Sequence, residues 1–243
     1  MYRSLFASVG ERQSPINICT KTAIYDPNIC NASSFSFTYH EGDCHELVAL
    51  PTTWMLRTSP QCTTNLKASH LPAVFRLLQV HAHWGASDEC GTEHSIDHER
   101  YSCEVHFVFW NTMYKLEETS KHSDGMAVVA VFLKEGKYNS DYANIADVIG
   151  EAVKNDSPVP IPSNFDVSAL LPTDSDYFYY EGSLTTPPYN ECVIWTVMAE
   201  PVEISSSQLR QIRRIRSSGN CRDVQPLCGR RVYSSRQLTK SNT

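Results

Sequence analysis

The chain lacks any run of 18 apolar residues, so no stretch reads as a membrane-crossing helix. Its last ten residues are polar, which leaves no lipid-anchor signal on this sequence. There is no C-x-x-C, in spite of nine cysteines, and that disfavours a zinc ribbon or a thioredoxin-like redox site. There is no H-E-x-x-H either, which disfavours a zinc protease. Positive charge is in the minority, 21 basic against 27 acidic side chains for a net of −6, so the overall field favours neither nucleic acid nor an anionic membrane. The one basic run, Arg210, Arg213, Arg214 and Arg216, has the spacing of a solvated helix face. No Gly/Ser linker or break in composition interrupts the 243 residues, and 41% are hydrophobic, enough for one sizeable core. One domain is expected over 10–233, between a short N-terminal segment (1–9) and a polar tail (234–243).

The cysteine count is high for a cytosolic chain, and being odd it leaves at least one thiol unpaired in a monomer. The opening M-Y-R-S-L-F-A-S-V-G is too short for a secretion signal with its apolar core. Sequons at Asn31 and Asn155 are of a kind that arises often by chance. These features lean toward the cytoplasm, with secretion the alternative if a signal segment is missing.

What the sequence does have is concentrated between Gln79 and Asn111. The stretch opens with an apolar run, Val74 to Val80, and closes with another, Val105 to Trp110, both rich in β-branched and aromatic residues and so expected as strands around a polar loop. Alternate residues of a strand share a face, which groups Gln79, His81 and His83 on one strand and Glu104, His106 and Val108 on the other. A lone strand histidine is more often a surface or hydrogen-bonded core residue. Two neighbouring strands, however, aim His81, His83 and His106 at one point, and three neutral imidazoles with an open fourth position make a catalytic zinc (Zn2+) site. Gln79 and Glu104 suit the groups that orient such ligands. Glu104, only two residues from His106, is expected to serve a histidine across the strand pairing.

Elsewhere, Ser34 to His40 alternates as a half-exposed strand, and Pro51 to Arg57 turns into a short strand around Trp54. Asp124 to Lys134 reads as a buried strand. Ile145, Val148, Ile149, Ala152 and Val153 have helical spacing, with a cap near Ser140 or Asp141. Tyr177 to Leu184 and Cys192 to Glu200 are strands flanking T-T-P-P, and Ser205 to Ser207 cap a second helix bearing Leu209, Ile212 and Ile215. Strands outnumber helices and come in adjacent runs. The fold class is therefore mainly β, a single domain on a large, twisted, mostly antiparallel central sheet with a few peripheral helices.

H-A-H-W-G, G-T-E-H-S-I-D and E-V-H-F-V-F-W-N in this stretch resemble the zinc-binding core of the α-class carbonic anhydrases. E-R-Q-S-P-I-N-I (Glu11 to Ile18), D-G-M-A-V-V-A-V-F-L-K (Asp124 to Lys134), G-S-L-T-T-P-P (Gly182 to Pro188), E-C-V-I-W (Glu191 to Trp195) and V-Q-P-L-C-G-R-R (Val224 to Arg231) extend the resemblance from about Gly10 to Val232 in the right order. It implies zinc-dependent reversible hydration of carbon dioxide to bicarbonate and a proton, by attack of zinc-bound hydroxide, in a monomer that also binds sulfonamide-type inhibitors.

The resemblance implies Thr185 as the acceptor that orients the nucleophile and Glu93 as the carboxylate that takes the Thr185 hydrogen. It implies a substrate wall of Thr186, Val108, Val128, Leu184, Val193 and Trp195, all of which read by themselves as ordinary strand or turn residues. Two positions depart from the pattern. Tyr189 stands where extracellular members carry a disulfide cysteine, and Cys192 is expected to be a buried reduced thiol. Pro51 or Thr52 stands where fast members place the histidine that carries the proton away, which implies slow proton release unless His40, His45 or His70 substitutes. A binding or scaffold module is the alternative, and a zinc hydrolase acting on esters a further one. The three intact histidines weigh against the module and the apolar wall against the esterase.

Overall fold

The computed structural model describes residues 10–88, 90–215 and 218–238. In chain order the strands are β1 (Asn17–Ile18), β2 (Ile24–Tyr25), β3 (Ser36–Thr38), β4 (Cys44–Ala49), β5 (Trp54–Thr58), β6 (Asn65–Lys67), β7 (Phe75–Trp84), β8 (Ser95–Ile96), β9 (Cys103–Asn111), β10 (Met126–Glu135), β11 (Val159–Pro160), β12 (Tyr177–Gly182), β13 (Val193–Met198), β14 (Val202–Ile204) and β15 (Tyr233–Ser234). Two α-helices, α1 (Ser140–Asn155) and α2 (Ser206–Ile212), complete the frame with short 3-10 turns.

Thirteen of these strands form one sheet with β7, β9, β10 and β13 adjacent at its middle. Most pairings are antiparallel, as expected, but β10 runs parallel to both β13 and β14, and β15 parallel to β2, so the sheet is mixed. The polar tail expected from residue 234 overlaps the sheet where it starts, because Ser234 lies in β15 and both Ser234 and Ser235 are buried.

Alternation along the central strands sends side chains to two cores. Val105, Phe107 and Phe109 of β9 join Ala127, Val129 and Val131 of β10 in the larger one, which also takes Tyr142, Ile145 and Ile149 of α1. Val108, Val128, Ala130, Val193, Trp195 and Val197 join the smaller cluster on the opposite face. The histidines belong to that second face.

Several boundaries move. The first strand of the histidine stretch runs beyond its apolar part, which ends at Val80, through the histidines as expected and on to Trp84, because each of His81, Ala82, His83 and Trp84 pairs with β9. α1 is capped by Asn139, whose side chain accepts from the Asp141 and Tyr142 amides, rather than by Ser140 or Asp141. α2 has the expected Ser205 cap, closed by Gln208 into a capping box. In the basic run, Arg210 and Arg214 are exposed, but Arg213 is half-buried, paired with Asp88 at 2.7 Å and donating to the Ser102 carbonyl at 3.0 Å. Arg216 lies outside the described residues. All nine cysteines are free thiols, and Cys192 is buried, with burial pushing its pKa up to about 11.

Candidate metal centre

The site grows from the pairing of β7 with β9. His81 lies directly opposite His106, and His83 opposite Glu104. A bulge between Leu77 and Gln79 resets the alternation of β7 just before the histidines, so that Gln79, His81 and His83 share the face of Glu104, His106 and Val108. The three imidazoles meet at ring-centroid separations of 4.7 to 5.2 Å.

Each ring has one nitrogen already committed. His81 Nδ1 lies 2.9 Å from Gln79 Oε1, and His83 Nδ1 lies 3.1 Å from the Asn220 carbonyl, so both Nδ1 atoms carry the hydrogen and donate it. His106 Nε2 donates to Glu104 Oε1 at 2.7 Å. What remains is His81 Nε2, His83 Nε2 and His106 Nδ1, three bare lone pairs. The two Nε2 atoms lie 3.0 Å apart with no hydrogen left to place between them. Facing lone pairs at that distance repel unless a cation lies beside them, so the donor set fits a zinc ion. Burial depresses the pKa of all three histidines, and for His81 the charges of His83 and His106 add to the effect, keeping the imidazoles in the neutral form that ligates metal.

Glu104 corrects an expectation. It serves His106 of its own strand, as well as His94 in the loop before β9, rather than a ligand across the pairing. Side chains two apart on a strand share a face about 7 Å apart, and an imidazole is long enough to reach back with Nε2. Gln79, also two residues from its histidine, meets His81 through Nδ1 instead. Glu104 Oε1 takes both imidazoles at 2.7 Å, while Oε2 takes the Glu93 and His94 amides at 2.9 and 2.8 Å. Burial alone would raise its pKa, but the His94 and His106 partners hold it well below the usual carboxylate range. His94, Glu104 and His106 also lie close enough to pass as a metal-binding group. The atoms that face one another in this set are already hydrogen-bonded, however, His94 Nδ1 and His106 Nε2 both on Glu104 Oε1, with His94 Nε2 on the Tyr180 hydroxyl at 2.7 Å, so this set is a hydrogen-bond network.

The loop 85–102 brings in Glu93. Gly91 lets it fold closely onto β9, since a Cβ there would collide with the Ser102 carbonyl. Glu93 is fully buried, accepting the Arg222 amide on Oε1 at 2.8 Å and lying 3.3 Å from His83 Nδ1. Its Oε2 has no hydrogen-bond partner among the described residues. Burial pushes its pKa up to about 7, and the Thr185 hydroxyl is near enough to pull it back down. Thr185 is buried and Thr186 exposed at the turn between β12 and β13.

The apolar residues expected to line a wall lie in one cluster. Val128 pairs with Val108 on one side and with Trp195 on the other, Val193 is opposite Met126, and Leu184 packs against the same cluster. Trp195 lies 5.0 Å from the His106 ring. His70 does not belong here. It is buried between Tyr177 and Thr196, and burial pushes its pKa down to about 3, so it cannot relay a proton near neutrality. His40 and His45 are exposed.

Sequence reasoning missed Asn220 and Arg222, which carry the groups that hold His83 and Glu93, and gave His94 no role. His94 stood inside the G-T-E-H motif beside Glu93, the one signal available. Nothing in S-G-N-C-R-D marks the other two.

The sequence profile of the family described as eukaryotic-type carbonic anhydrase matches residues 4–236. Carbonic anhydrase 3 of Bos taurus is 36% identical over 238 residues, covering 93% of this chain and 90% of that protein. Carbonic anhydrase 3 of Homo sapiens is 34% identical with the same coverage. Carbonic anhydrase 5A, mitochondrial, of Rattus norvegicus is 37% identical over 249 residues, covering 96% of this chain and 80% of that protein. With a match along nearly its whole length and relatives above 30% identity, the chain belongs to the eukaryotic-type carbonic anhydrase family.

Proposed function

We propose that His81, His83 and His106 hold one zinc ion, and that the reaction of the family, reversible hydration of CO2 to bicarbonate and a proton, runs against the wall beside them. The observation that carries this reading is the commitment of the other nitrogen in all three rings, leaving three neutral lone pairs converged. Zinc bound there supplies a Lewis acid that brings the pKa of water to about 7, a figure for which carbonic anhydrase is itself the reference case.

The chain's residues do the rest. Gln79, the Asn220 carbonyl and Glu104 fix the three tautomers and ring orientations. The Thr185 hydroxyl, giving its hydrogen to the unpartnered Glu93 Oε2, keeps only lone pairs for the reacting water, which must therefore point its own hydrogen at Thr185 and a lone pair at CO2. Val108, Val128, Leu184, Val193 and Trp195 offer CO2, which has no net dipole, an apolar surface, with Thr186 at its exposed edge. A sulfonamide anion would use the same arrangement, its N–H donating to Thr185. No histidine stands at Pro51 or Thr52, and release of the proton sets the maximal rate.

Metal analysis of the purified protein with stopped-flow CO2 hydration tests the assignment. The expected result is about one zinc per chain and zinc-dependent hydration, with His106→Ala losing most of both. Full zinc occupancy in the His106→Ala protein would overturn the ligand set.

A further inference from the structure

Glu93 and Thr185 come from segments far apart in sequence, and a single contact from the Thr185 hydroxyl, near enough to lower the Glu93 pKa, does not by itself fix the distance between them. Something else must hold the two in register. Glu93 Oε1 is fixed by the backbone amide of Arg222 at 2.8 Å. The side chain of that same Arg222 lies over the ring of Tyr189, 3.8 Å from guanidinium carbon to ring centroid. Tyr189 ends the turn that begins at Thr185, its amide donating to the Thr186 carbonyl at 2.9 Å. The backbone of Tyr189 is left-handed, with φ +63°, an uncommon conformation for a residue with a ring, and it keeps the ring half-buried against Arg222.

A second bridge runs alongside. Gln13 Nε2 donates to the Tyr189 carbonyl at 3.2 Å, while Gln13 Oε1 accepts from Arg222 Nη1 at 2.9 Å. The same Nη1 donates to the Ser14 carbonyl at 2.8 Å, so the guanidinium is anchored on its edge and stacked on its face. From Thr185 the path runs through the turn to Tyr189, across the ring to Arg222, and along the Arg222 backbone to Glu93.

We infer that the Tyr189–Arg222 stack is a clamp that sets the distance between the Glu93 carboxylate and the Thr185 hydroxyl, which makes Tyr189 and Arg222 positioning residues for CO2 hydration. The inference rests on the reading of Thr185 and Glu93 given above. The clamp touches neither substrate nor the histidines. Loosening it should therefore weaken orientation of the nucleophile while leaving metal binding alone.

The test compares Tyr189→Leu, which keeps apolar bulk without a ring face, Tyr189→Phe, which keeps the ring, and Arg222→Lys, which keeps the charge and the amide that Glu93 accepts. For each, kcat/KM for CO2, zinc content and the hydrogen-exchange rate of the Arg222 amide are measured, the last in metal-free protein as well. The expected result is kcat/KM lower by about 3- to 10-fold in Tyr189→Leu and Arg222→Lys, with Arg222 amide exchange faster by a similar factor, zinc unchanged, and Tyr189→Phe restoring both readouts. Wild-type rates and exchange in Tyr189→Leu overturn the clamp, as does damage by Tyr189→Phe equal to that by Tyr189→Leu. A wild-type chain that binds zinc but does not hydrate CO2 overturns the reading of Thr185 and Glu93 and the clamp's catalytic role with it. Unchanged exchange in Tyr189→Leu beside an active wild type overturns the clamp alone.

Discussion

Thr52 is exposed, and its carbonyl accepts from Asn220 Nδ2 at 2.8 Å, while the Asn220 carbonyl holds His83. Residue 52 is thus one hydrogen-bonded neighbour away from a proposed ligand, and it has nothing that titrates near pH 7. A small imidazole buffer is expected to raise kcat in a saturable way while kcat/KM stays nearly constant, because the hydration step and the proton exit are separate. Thr52→His should reproduce the gain in bulky buffers. Stopped-flow rates that are already high and insensitive to imidazole would shift attention to the exposed His40 and His45. At this scale the convergence of His81, His83 and His106 was legible, since period-two spacing states which side chains share a face. The partner of Glu104 was not, because spacing fixes a face and not the reach of a ring.

The two helices share one buried side chain. Gln208 closes the capping box of α2, its Oε1 accepts the Asn139 amide at 3.1 Å and its Nε2 donates to the Asn139 carbonyl at 2.6 Å, at the residue that caps α1. Gln208→Ala leaves those buried groups unmatched and is expected to cost about 2 kcal/mol in urea unfolding. Zinc content should be unaffected, because α1 packs on the sheet face opposite the histidines. A loss below about 0.5 kcal/mol would mean that the caps are satisfied by water instead. Central strands such as β10 and β13 were legible from their unbroken apolar runs. Strand β4, C-H-E-L-V-A, was not, because a histidine and a glutamate interrupt its apolar pattern. The parallel pairing of β10 with β13 leaves no trace in either strand's composition, since parallel and antiparallel neighbours bury the same side chains.

For the molecule as a whole, acid stability carries the signature of His70. It is buried and neutral, bonded to Tyr177 and Thr196 and packed 4.9 Å from the rings of Tyr177 and Tyr179. Burial takes its pKa from 6.5 to about 3, so between those values the unfolded chain binds a proton that the folded chain refuses. Stability from this group is full above pH 6.5 and falls as pH drops toward 3, by about 2 kcal/mol between pH 7 and pH 5. Denaturation of His70→Gln over that range should show a shallower slope than wild type, whatever its absolute stability, and an equal slope would assign the acid sensitivity elsewhere. No helix among the described residues is long and apolar enough to cross a membrane.

The proposed ligands all lie between residues 81 and 106, yet the groups that hold His83 and Glu93 arrive with Asn220 and Arg222. Contacts so distant in sequence close slowly, because the intervening chain must first be ordered. A growing or refolding chain can therefore pair β7 with β9 long before the site has its final shape. Zinc affinity becomes a clock for the last stage of folding. In a refolding experiment, tight metal uptake should lag the return of sheet structure, and the lag should disappear if the protein is unfolded only locally around residues 219–222.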